Sequence, residues 1–536
     1  MQLSQHDLRQ LDQDAIRALP LESLQALTSK LLADLTELYE RLNQNPSNSS
    51  RPPSSQAPWE GSSGADPDGD DDADADAEAD PVNEKDLLES EEHDESDEPG
   101  QGDETDERSP RSGPKTPGKP GKREGAQGYG RSVELAVNAE QVHRPDECAR
   151  CGVSFSPDAP SRAYTARYEI DLIAPASGSP GLELCQTKHI HLESQCSCGH
   201  WSRAEPGRCE REDDWSVELT EWHLVGPMLV ALICALSLRM RISRRGIREF
   251  LGDWLGVALS IGCINQCIHE AGRAVEPVVQ RDIIPEIREA ELAHGDETGW
   301  KQGKQLLWLW VFTCATATVF SIGRRSPEIV LQILGNRFTG WLMSDGFWAY
   351  RDYDQRLRCL AHLIRKARGL EQSLNQQAQQ FGAHTLQLLE HLLDQVYQAR
   401  EGPDPPENVL YQQNRETLDA FWAFCEQHWD AGHQKTRELA REFIYDWDAI
   451  WAVLDYPWLP LTNNAAEQAL RHWVIARRIS FGTRTAEGSM AFTLLASVIE
   501  TCRQRKVSPW PYIAEVIKQR RKGEPAPVLP EPQCGG

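Results

Sequence analysis

The chain has 536 residues, a length at which several domains are expected rather than one. Its formal net charge is −26, but residues 65–107 hold 22 Asp and Glu against one basic residue, so the remainder carries only −5 and a nucleic-acid partner is not excluded. Residues 1–20 lack a signal-peptide pattern, and the longest apolar run, residues 224–238, is shorter than the roughly 20 residues that span a bilayer. Fourteen cysteines without an export signal favour reduced thiols, so a cytoplasmic protein is predicted.

Residues 1–50 are predicted to form a helical arm. Apart from Thr28, which fills one position, the seam consists of leucines at alternating spacings of three and four: Leu21, Leu24, Leu31, Leu35, Leu38 and Leu42. This short heptad pattern suits a coiled coil and self-association. A single amphipathic helix that packs on its own protein explains the same pattern, and both alternatives stay open.

Residues 51–135 are predicted to be a disordered linker, because their composition offers too little apolar surface to offset the entropy of ordering. Within it, the acidic tract (residues 65–107) has a net charge of −21 and precedes a basic stretch at residues 108–123. The tract could be a solvated spacer. Alternatively, it could compete with DNA for basic surfaces of the protein.

Residues 136–212 contain two cysteine pairs, each followed by glycine, and these are Cys148 with Cys151 and Cys196 with Cys198. The pattern favours a four-cysteine zinc site, because a glycine turn lets both thiolates of a pair face one ion. One residue instead of two separates the second pair, which leaves other ligands in competition: Cys185, His189, His191, His200 and Cys209. Four protein ligands leave no open position, so the zinc would be structural. Reduced cysteines without metal are the alternative.

Residues 216–285 are predicted to form three helices. Gly226-Pro227 starts the first, Ser243 caps the second, and Ser260 caps the third, Ile261 to Ala271. Short helices beside a cluster of arginines suggest a helix-turn-helix-like DNA-binding region. The alternative is a helical linker with a solvated basic face.

Residues 288–520 are predicted to form a mixed α/β domain. Strands are expected at Leu292–Asp296, Gln305–Cys314, Ala317–Ile322 and Trp341–Asp345, with a helix at Pro327–Leu334 before the last of them. This order resembles that of RNase H-like domains, in which the first and fourth strands lie side by side at the sheet centre. It would therefore bring together the carboxylates of Asp296 and Asp345, each at a strand end. A later carboxylate, Glu467, opens a helix.

Each carboxylate also has a structural interpretation. Asp296 and Asp345 are both in Gly-containing dipeptides that suit turns. Glu467 could complete a capping box with Asn464 as N-cap, or pair with Arg471 one turn later. Glu297 should point to the opposite side of an extended strand from Asp296, so one of the two can join a site.

Cys359 and His362 follow a predicted fifth strand and could be half of a metal site, but the sequence offers no second half. His362 is predicted to contact phosphate or to orient Asp345, and a structural histidine is the alternative. Residues 371–460 are predicted to be helical. Basic and aromatic residues alternate from residue 471 to 484. Such a stretch can bind phosphates and stack on nucleobases, or it can be a solvated helix face. The predicted DNA contacts are Arg244, Arg245, Arg248, His362, Arg365, Arg471, Arg477 and Arg478.

The contexts of these residues resemble one family. The motifs are GDETGW (residues 295–300), SDGFWAYR (344–351), CLAHLIRKAR (359–368) and NNAAEQALR (463–471). They are similar to the DDE-type transposases of the insertion-sequence-66 family, and the N-terminal arm and the cysteine region resemble that family less closely. Thr462 departs from the family, which commonly has Asp at that position.

The resemblance implies an RNase H-like catalytic domain with a helical insertion at residues 371–460 and a tail from 521. It selects Asp296 over Glu297, and it assigns Asp296, Asp345 and Glu467 to two Mg²⁺ ions, with Mn²⁺ as the alternative. The implied activity is hydrolysis at element ends to release a 3′-OH, which then attacks target DNA. The implied partners are terminal inverted repeats, target DNA, further copies of the chain and accessory proteins of the same element, in a nucleoid-associated cytoplasmic protein.

Two rival functions remain. One is a domesticated DNA-binding regulator that uses the zinc and helical modules without chemistry. The other is an RNase H-like nuclease that cleaves but does not join strands.

Overall fold

The computed structural model describes Ile16 and residues 19–42, 135–175, 180–205, 215–403 and 408–532. The acidic tract, the basic stretch after it and Cys209 lie outside these residues. The N-terminal arm contains helix α1 (Leu21–Leu42), where Leu21, Leu32 and Leu35 are exposed. The predicted helix is therefore confirmed, and the coiled coil stays a prediction.

The cysteine region forms a small sheet around one long strand. Its strands are β1 (Ala139–His143), β2 (Ser161–Ile173), β3 (Glu183–Gln195) and β4 (Trp201–Arg203). The central strand β3 pairs antiparallel with β2 along most of its length, antiparallel with β4 at one end, and parallel with β1.

This small sheet is joined to the helices that follow. The backbone N–H of Ile170 donates to the carbonyl oxygen of Leu224 at 2.7 Å, and the N–H of Gly226 donates back to Ile170 at 2.8 Å. The carboxylate of Asp171 accepts from the N–H of Leu229 at 2.8 Å. Asp171 thus satisfies a backbone donor in the first turn of a helix that has no side-chain cap of its own.

The next segment contains α2 (Pro227–Cys234), α3 (Arg244–Leu255), α4 (Ile261–Val278) and α5 (Ile284–Glu289). The predicted caps are confirmed, because the hydroxyls of Ser243 and Ser260 each accept a backbone N–H at 3.1 Å. The third helix is longer than predicted. Pro277 lacks an N–H, yet a π-helical turn, Val279–Ile283, continues the helix into α5.

The main sheet has five strands in the order β7-β6-β5-β8-β9. The strands are β5 (Leu292–Gln302), β6 (Gln305–Thr313), β7 (Thr318–Gly323), β8 (Trp341–Ser344) and β9 (Arg356–Arg358), with helix α6 (Pro327–Leu334) between β7 and β8. The first three strands are antiparallel neighbours, whereas β8 lies parallel to both β5 and β9. The first and fourth strands are therefore adjacent, as predicted.

The prediction that Asp296 ends its strand is wrong. Antiparallel pairing of β5 with β6 runs from His294 opposite Thr313 to Gln302 opposite Gln305, so the hairpin keeps the chain extended beyond the aspartate. Asp296 is the fifth residue of an eleven-residue strand. Asp345, in contrast, directly follows the last residue of β8.

Helices make up most of the remaining chain. They are α7 (Leu360–Glu371), α8 (Gln376–Arg400), α9 (Leu410–Gln413), α10 (Arg415–Gln427), α11 (Gln434–Tyr445), α12 (Trp447–Asp455), α13 (Asn464–Ser480), α14 (Ala486–Gln504) and α15 (Pro509–Arg521). The segment that was predicted as a helical insertion thus contains helices α8 to α12. Beyond α15, Leu529 is buried against the main core.

Two hydrophobic cores meet at β8, where Leu342 belongs to the larger core and Met343 to the second. The larger one joins helices α2 to α5 with the sheet and with α13 to α15, so the helices predicted as a DNA-binding region share a core with the sheet. The second joins Met343 and Leu357 with α7 and the helices of residues 376–455. Within the described residues, no helix combines the length and apolarity that crossing a membrane requires.

Candidate active site and cysteine cluster

Asp296 lies on β5, and Asp345 directly follows β8, the neighbouring strand in the main sheet. Parallel pairing aligns Leu292 with Trp341 and His294 with Met343. Continued by two residues along each strand direction, the same alignment leads to Asp296 and Asp345. Their proximity has an electrostatic consequence, because both charges act on one buried phenol, that of Tyr350. Burial first, then the charge of Glu297, and after it those of Asp345 and Asp296 raise the pKa of Tyr350 well above its ordinary value.

Alternation along β5 decides which face each side chain takes. Thr298 accepts a hydrogen bond from Arg477 of α13 at 3.0 Å, and the ring of Trp300 stacks on Phe492 of α14 with ring centroids 4.7 Å apart. Asp296 shares the register of these even-numbered residues. It therefore lies on the face of the sheet that α13 and α14 cover.

Glu297 lies on the opposite face, as predicted. Its side chain is 1% exposed, accepts from the Tyr350 hydroxyl at 2.7 Å and pairs with Arg325 at 2.8 Å. Burial, and next the charge of Asp345, raise the pKa of Glu297 to about 7. Glu297 therefore has Tyr350 and Arg325 as its partners on the face of the sheet opposite Asp296.

Glu467 lies in the first turn of α13. The capping-box interpretation is wrong, because the helix begins one residue earlier than predicted and its N-cap is Asn463, not Asn464. The Asn463 side chain makes no capping hydrogen bond, and Glu467 is the fourth helical residue rather than the third. No capping box therefore accounts for this carboxylate.

Asn463 instead joins the helix to the strand that carries Asp296. Its side-chain Nδ2 donates to the carbonyl oxygen of Gly295 at 3.0 Å, and its Oδ1 accepts from Nδ1 of His294 at 3.1 Å. Its backbone N–H donates to the Cys359 thiol at 3.3 Å. Asn463 is 1% exposed, so these bonds are made in the interior. The motif in which Asn463 lies did not predict this role.

The turn that contains Asp345 packs against the helical insertion (residues 371–460). Its Oδ1 accepts from the N–H of Phe347 at 2.9 Å, which starts a turn into a short 3₁₀ helix and not a hairpin. The next residue, Gly346, lies against the buried guanidinium of Arg358, and a Cβ there would stand 2.7 Å from Nη1. Arg358 is 1% exposed and pairs with Asp446 at 2.5 Å and with Glu442. The insertion thus holds the turn that carries Asp345.

His362 lies beside Glu467. Its Nε2 is 4.0 Å from Glu467 Oε1, and Cys359 completes a group whose ligand atoms lie within 4.8 Å of one another. In the described part of the chain, two groups of three or more possible ligands have their ligand atoms within 4.8 Å of one another: this group and the four cysteines. Asp296 and Asp345 belong to neither. Burial raises the pKa of the Cys359 thiol, but the hydrogen bond and charge of His362 outweigh it and lower that pKa. Sequence alone offered no partner for this Cys-x-x-His pair.

The predicted DNA contacts differ in exposure. Arg245, Arg248 and Arg478 are exposed, whereas Arg244, Arg365, Arg471 and Arg477 are half-buried and His362 is nearly buried. Arg477 donates to Thr298 and to the carbonyl oxygen of Gly299, and Arg244 donates to the hydroxyl of Ser237. These two arginines therefore hold elements of the fold together.

The stretch of alternating basic and aromatic residues (471–484) lies partly in the interior and partly on the surface. Trp473 is buried, and His472 accepts from Arg241 at 2.7 Å. Phe481 ends α13 with a left-handed backbone (φ 58°), and its ring is 73% exposed beside Arg478. An exposed aromatic held in this conformation is uncommon and suits contact with another molecule.

The four predicted cysteines converge at the edge of the small sheet. Cys148 Sγ lies 3.7 Å from Cys198 Sγ, and Cys151 Sγ lies 3.5 Å from Cys196 Sγ. A tetrahedral zinc with Zn–S bonds of about 2.3 Å places its sulfur ligands roughly 3.8 Å apart. The spacing of the thiols therefore fits a structural zinc ion.

Glycine turns bring these thiols together. Gly152 and Gly199 both have positive φ (70° and 81°), and each donates its N–H to the backbone carbonyl oxygen of the first cysteine of its pair, at 2.9 and 2.8 Å. Burial alone would raise the pKa of Cys148, but backbone N–H groups lower it to about 6, which favours the thiolate. The shorter second pair thus closes in the same way as the first.

The competing ligands lie elsewhere in the described residues. Cys185 contacts Thr187, while His189 and His191 face away into a group with His143, whose Nε2 is 2.9 Å from His189 Nδ1. The structure therefore selects the four cysteines over these three candidates and over His200, which is not part of the group either, and Cys209 lies outside the described residues.

Two proteins are similar to parts of this chain. An uncharacterized protein, y4qI, from Sinorhizobium fredii (strain NBRC 101917 / NGR234) is 24% identical over 306 residues, which is 51% of this chain and 55% of that protein. A second, y4jO, from the same strain is 35% identical over 84 residues, 16% of this chain and 26% of that protein. The matched regions therefore span about half the length of the first relative and a quarter of the second.

Residues 223–491 match a family described as the IS66 family of transposases. The match covers half of the chain and includes Asp296, Asp345, His362 and Glu467. On this match the chain belongs to the IS66 transposase family.

Proposed function

We propose that this protein is a DNA transposase that cleaves the ends of its element and joins them to target DNA. One observation carries the proposal: the pairing of β5 with β8 aligns His294 with Met343, two residues before Asp296 and Asp345, and α13, which packs on the Asp296 face of the sheet, carries Glu467 in its first turn. The order of the five strands and the helix before the fourth is the order expected of an RNase H-like domain. We therefore propose that fold for residues 288–520, with residues 371–460 as its insertion.

The donor set suits hard divalent cations. Asp296, Asp345 and Glu467 offer only carboxylate oxygens, the ligands that Mg²⁺ prefers, and Mn²⁺ accepts the same set. Bound there, two such ions would stabilise the attacking and leaving oxygens at one phosphate. Asp296 and Asp345 come from adjacent strands, and Glu467 comes from a helix that packs on the sheet. The fold therefore fixes the positions of the carboxylate oxygens.

The surrounding residues keep the carboxylates in place. Asn463 ties the start of α13 to Gly295, and the Arg358 network supports the Asp345 turn. In the proposed reaction, water attacks phosphorus and the strand breaks to release a 3′-OH. That 3′-OH then attacks a phosphate of the target and displaces the 3′-oxygen of the target strand as a new 3′-OH, so no covalent bond to the protein is needed.

DNA would bind through the exposed basic and aromatic side chains. Arg245, Arg248 and Arg478 present guanidinium groups that can pair with phosphates, and the Phe481 ring can stack on a base. Terminal inverted repeats and target DNA are the proposed substrates. Further copies of the chain and accessory proteins of the element are proposed partners.

The test measures cleavage and joining of labelled element-end DNA with Mg²⁺. Asp296→Asn, Asp345→Asn and Glu467→Gln should each lower the cleavage rate by at least about 1,000-fold, because a charged ligand is lost at the reacting phosphate. DNA affinity should change little. The matched control is Glu297→Gln, which removes the neighbouring carboxylate on the opposite face and should retain most of the activity.

Three outcomes separate the candidate functions. Joined products from the wild type support the transposase. Cleavage without joining in the presence of target DNA would favour a nuclease, and tight binding without cleavage would favour a DNA-binding regulator. Normal cleavage by Glu467→Gln would remove this residue from the proposed site.

A further inference from the structure

Two side chains of different chemistry, a thiol and an imidazole, meet beside the carboxylate of Glu467. Cys359 is the N-cap of α7 and His362 lies in its first turn, while Glu467 lies in the first turn of α13. One potential ligand atom from each lies within 4.8 Å of the others, and His362 Nε2 is 4.0 Å from Glu467 Oε1. The thiol is fully buried, and the other two side chains are 11% and 14% exposed.

The backbone holds this group together from two sides. The N–H of Asn463 donates to Cys359 Sγ at 3.3 Å, and the N–H of Leu360 donates to the carbonyl oxygen of Leu461 at 2.9 Å. The starts of α7 and α13 are therefore joined to one another. Both helices direct the positive ends of their dipoles toward the group, which favours a thiolate and a carboxylate there.

We propose that Cys359, His362 and Glu467 bind one zinc-class cation at a site separate from the four-cysteine cluster. A thiolate with an imidazole and a carboxylate is a ligand set typical of Zn²⁺ and unsuited to Mg²⁺. Ligand atoms around a tetrahedral zinc lie roughly 3.3 to 3.8 Å apart, so side-chain shifts of about 1 Å would close the site. Three protein ligands leave a fourth position for water.

The site has a regulatory consequence, which rests on the proposed function. Glu467 is shared between this set and the proposed Mg²⁺ ligands. A zinc-class cation held by the thiolate and imidazole would draw the Glu467 carboxylate away from Asp296 and Asp345. Zinc should therefore inhibit Mg²⁺-dependent cleavage through Cys359 and His362.

Metal stoichiometry of the full chain tests the site without any assay of activity. Zinc is added in excess, and a chromophoric chelator reports the zinc that the protein does not bind. The wild type should bind two ions per chain, one of them at the four cysteines. Cys359→Ser should bind one. Loss of an outer partner of a metal ligand already weakens binding 10- to 100-fold, so loss of a direct ligand should raise the dissociation constant by more than about 100-fold.

The matched control is Cys425→Ser, which changes another fully buried cysteine, in α10, and should keep two ions. His362→Gln is a second variant whose result decides the matter if Cys359→Ser fails to fold by circular dichroism. Two ions in folded Cys359→Ser or His362→Gln, or one ion in the wild type, would overturn the proposal and leave His362 as a residue that only orients Glu467.

Activity then separates this inference from the proposed function. Zinc should inhibit cleavage by the wild type and by Cys425→Ser at concentrations that leave the residual cleavage by Cys359→Ser unchanged. Two bound ions in a protein without cleavage would support the site and reject the transposase. Cleavage that zinc inhibits equally in all three proteins would reject the regulatory role.

Discussion

The side-chain amide of Asn463 donates to the carbonyl oxygen of Gly295 across 168 positions of the sequence, at 3.0 Å. This bond connects the start of the helix that carries Glu467 with the strand that carries Asp296. The same side chain accepts from His294, so both of its polar atoms are used on β5. The distance between two proposed metal ligands therefore depends on a residue that is not itself a ligand.

We expect Asn463→Ala to damage both stability and activity. The change leaves a buried carbonyl oxygen and a buried imidazole N–H without their partner, which should lower the free energy of unfolding by about 2–4 kcal/mol. A displaced Glu467 should lower the cleavage rate about 100-fold, because misplacement of about 1 Å is enough for such a loss. Urea unfolding and single-turnover cleavage measure the two effects.

The control for this prediction is Asn464→Ala at the exposed neighbouring position. It should change the free energy of unfolding by less than about 1 kcal/mol and leave cleavage near the wild-type rate. If the two variants behave alike, Asn463 does not position the site.

Zinc at the four cysteines should be structural. Cys148→Ser and Cys196→Ser should each remove that ion and destabilise the small sheet, because four protein ligands leave no vacancy for catalysis. Metal analysis and proteolysis of residues 135–205 measure these losses. Cys185→Ser is the matched control, since this thiol lies on β3 but contacts Thr187 instead of the cluster, and it should retain the ion. Equal zinc content in all variants would contradict the assignment.

His472 should make the fold sensitive to acid. Its Nδ1 accepts from Arg239 at 3.0 Å and from Arg241 at 2.7 Å, while Nε2 donates to the carbonyl oxygen of Leu238. Burial, and then the charges of these arginines and of Arg503, lower the pKa of His472 to about 4. The unfolded chain therefore binds more protons between pH 6.5 and 4, and stability falls as the pH falls through this window.

The corresponding variant is His472→Asn, whose Oδ1 can accept from an arginine without titrating. Between pH 7 and 5 it should lose about 1–2 kcal/mol less stability than the wild type, a modest value because solvent reaches part of the side chain and screens its charge. Urea unfolding at the two pH values measures the difference. His391→Gln, at an exposed histidine on α8, should behave like the wild type. An unchanged pH dependence in His472→Asn would refute the role of this histidine.

The acidic tract should weaken DNA binding at low salt. Its net charge of −21 can occupy the basic surfaces that DNA needs, and this competition should fade as the Debye length falls from roughly 10 Å at 0.1 M to 3 Å at 1 M salt. Deleting residues 65–107 should therefore tighten binding at low salt and steepen its salt dependence, because more counterions are then released. Equal affinities of both proteins across a salt series would leave the tract as a spacer.

Local chemistry made several features predictable. Ser243 and Ser260 cap helices because their hydroxyls reach an N–H three residues ahead, and the two glycine turns gather the cysteines in the same local way. The extent of β5 was predicted wrongly because its length depends on a hairpin partner. The capping box at Asn464 failed because the asparagine before it bonds to a distant strand.

The sequence by itself determined the motifs, the family, the order of the strands and the four cysteines, since these depend on residue types and spacings along the chain. Only the tertiary structure decided that Asn463 holds Gly295, that His362 lies beside Glu467 and that the insertion supports Asp345. Such contacts join residues far apart in the chain. They depend on how strands align and how helices pack, which no local pattern of residues encodes.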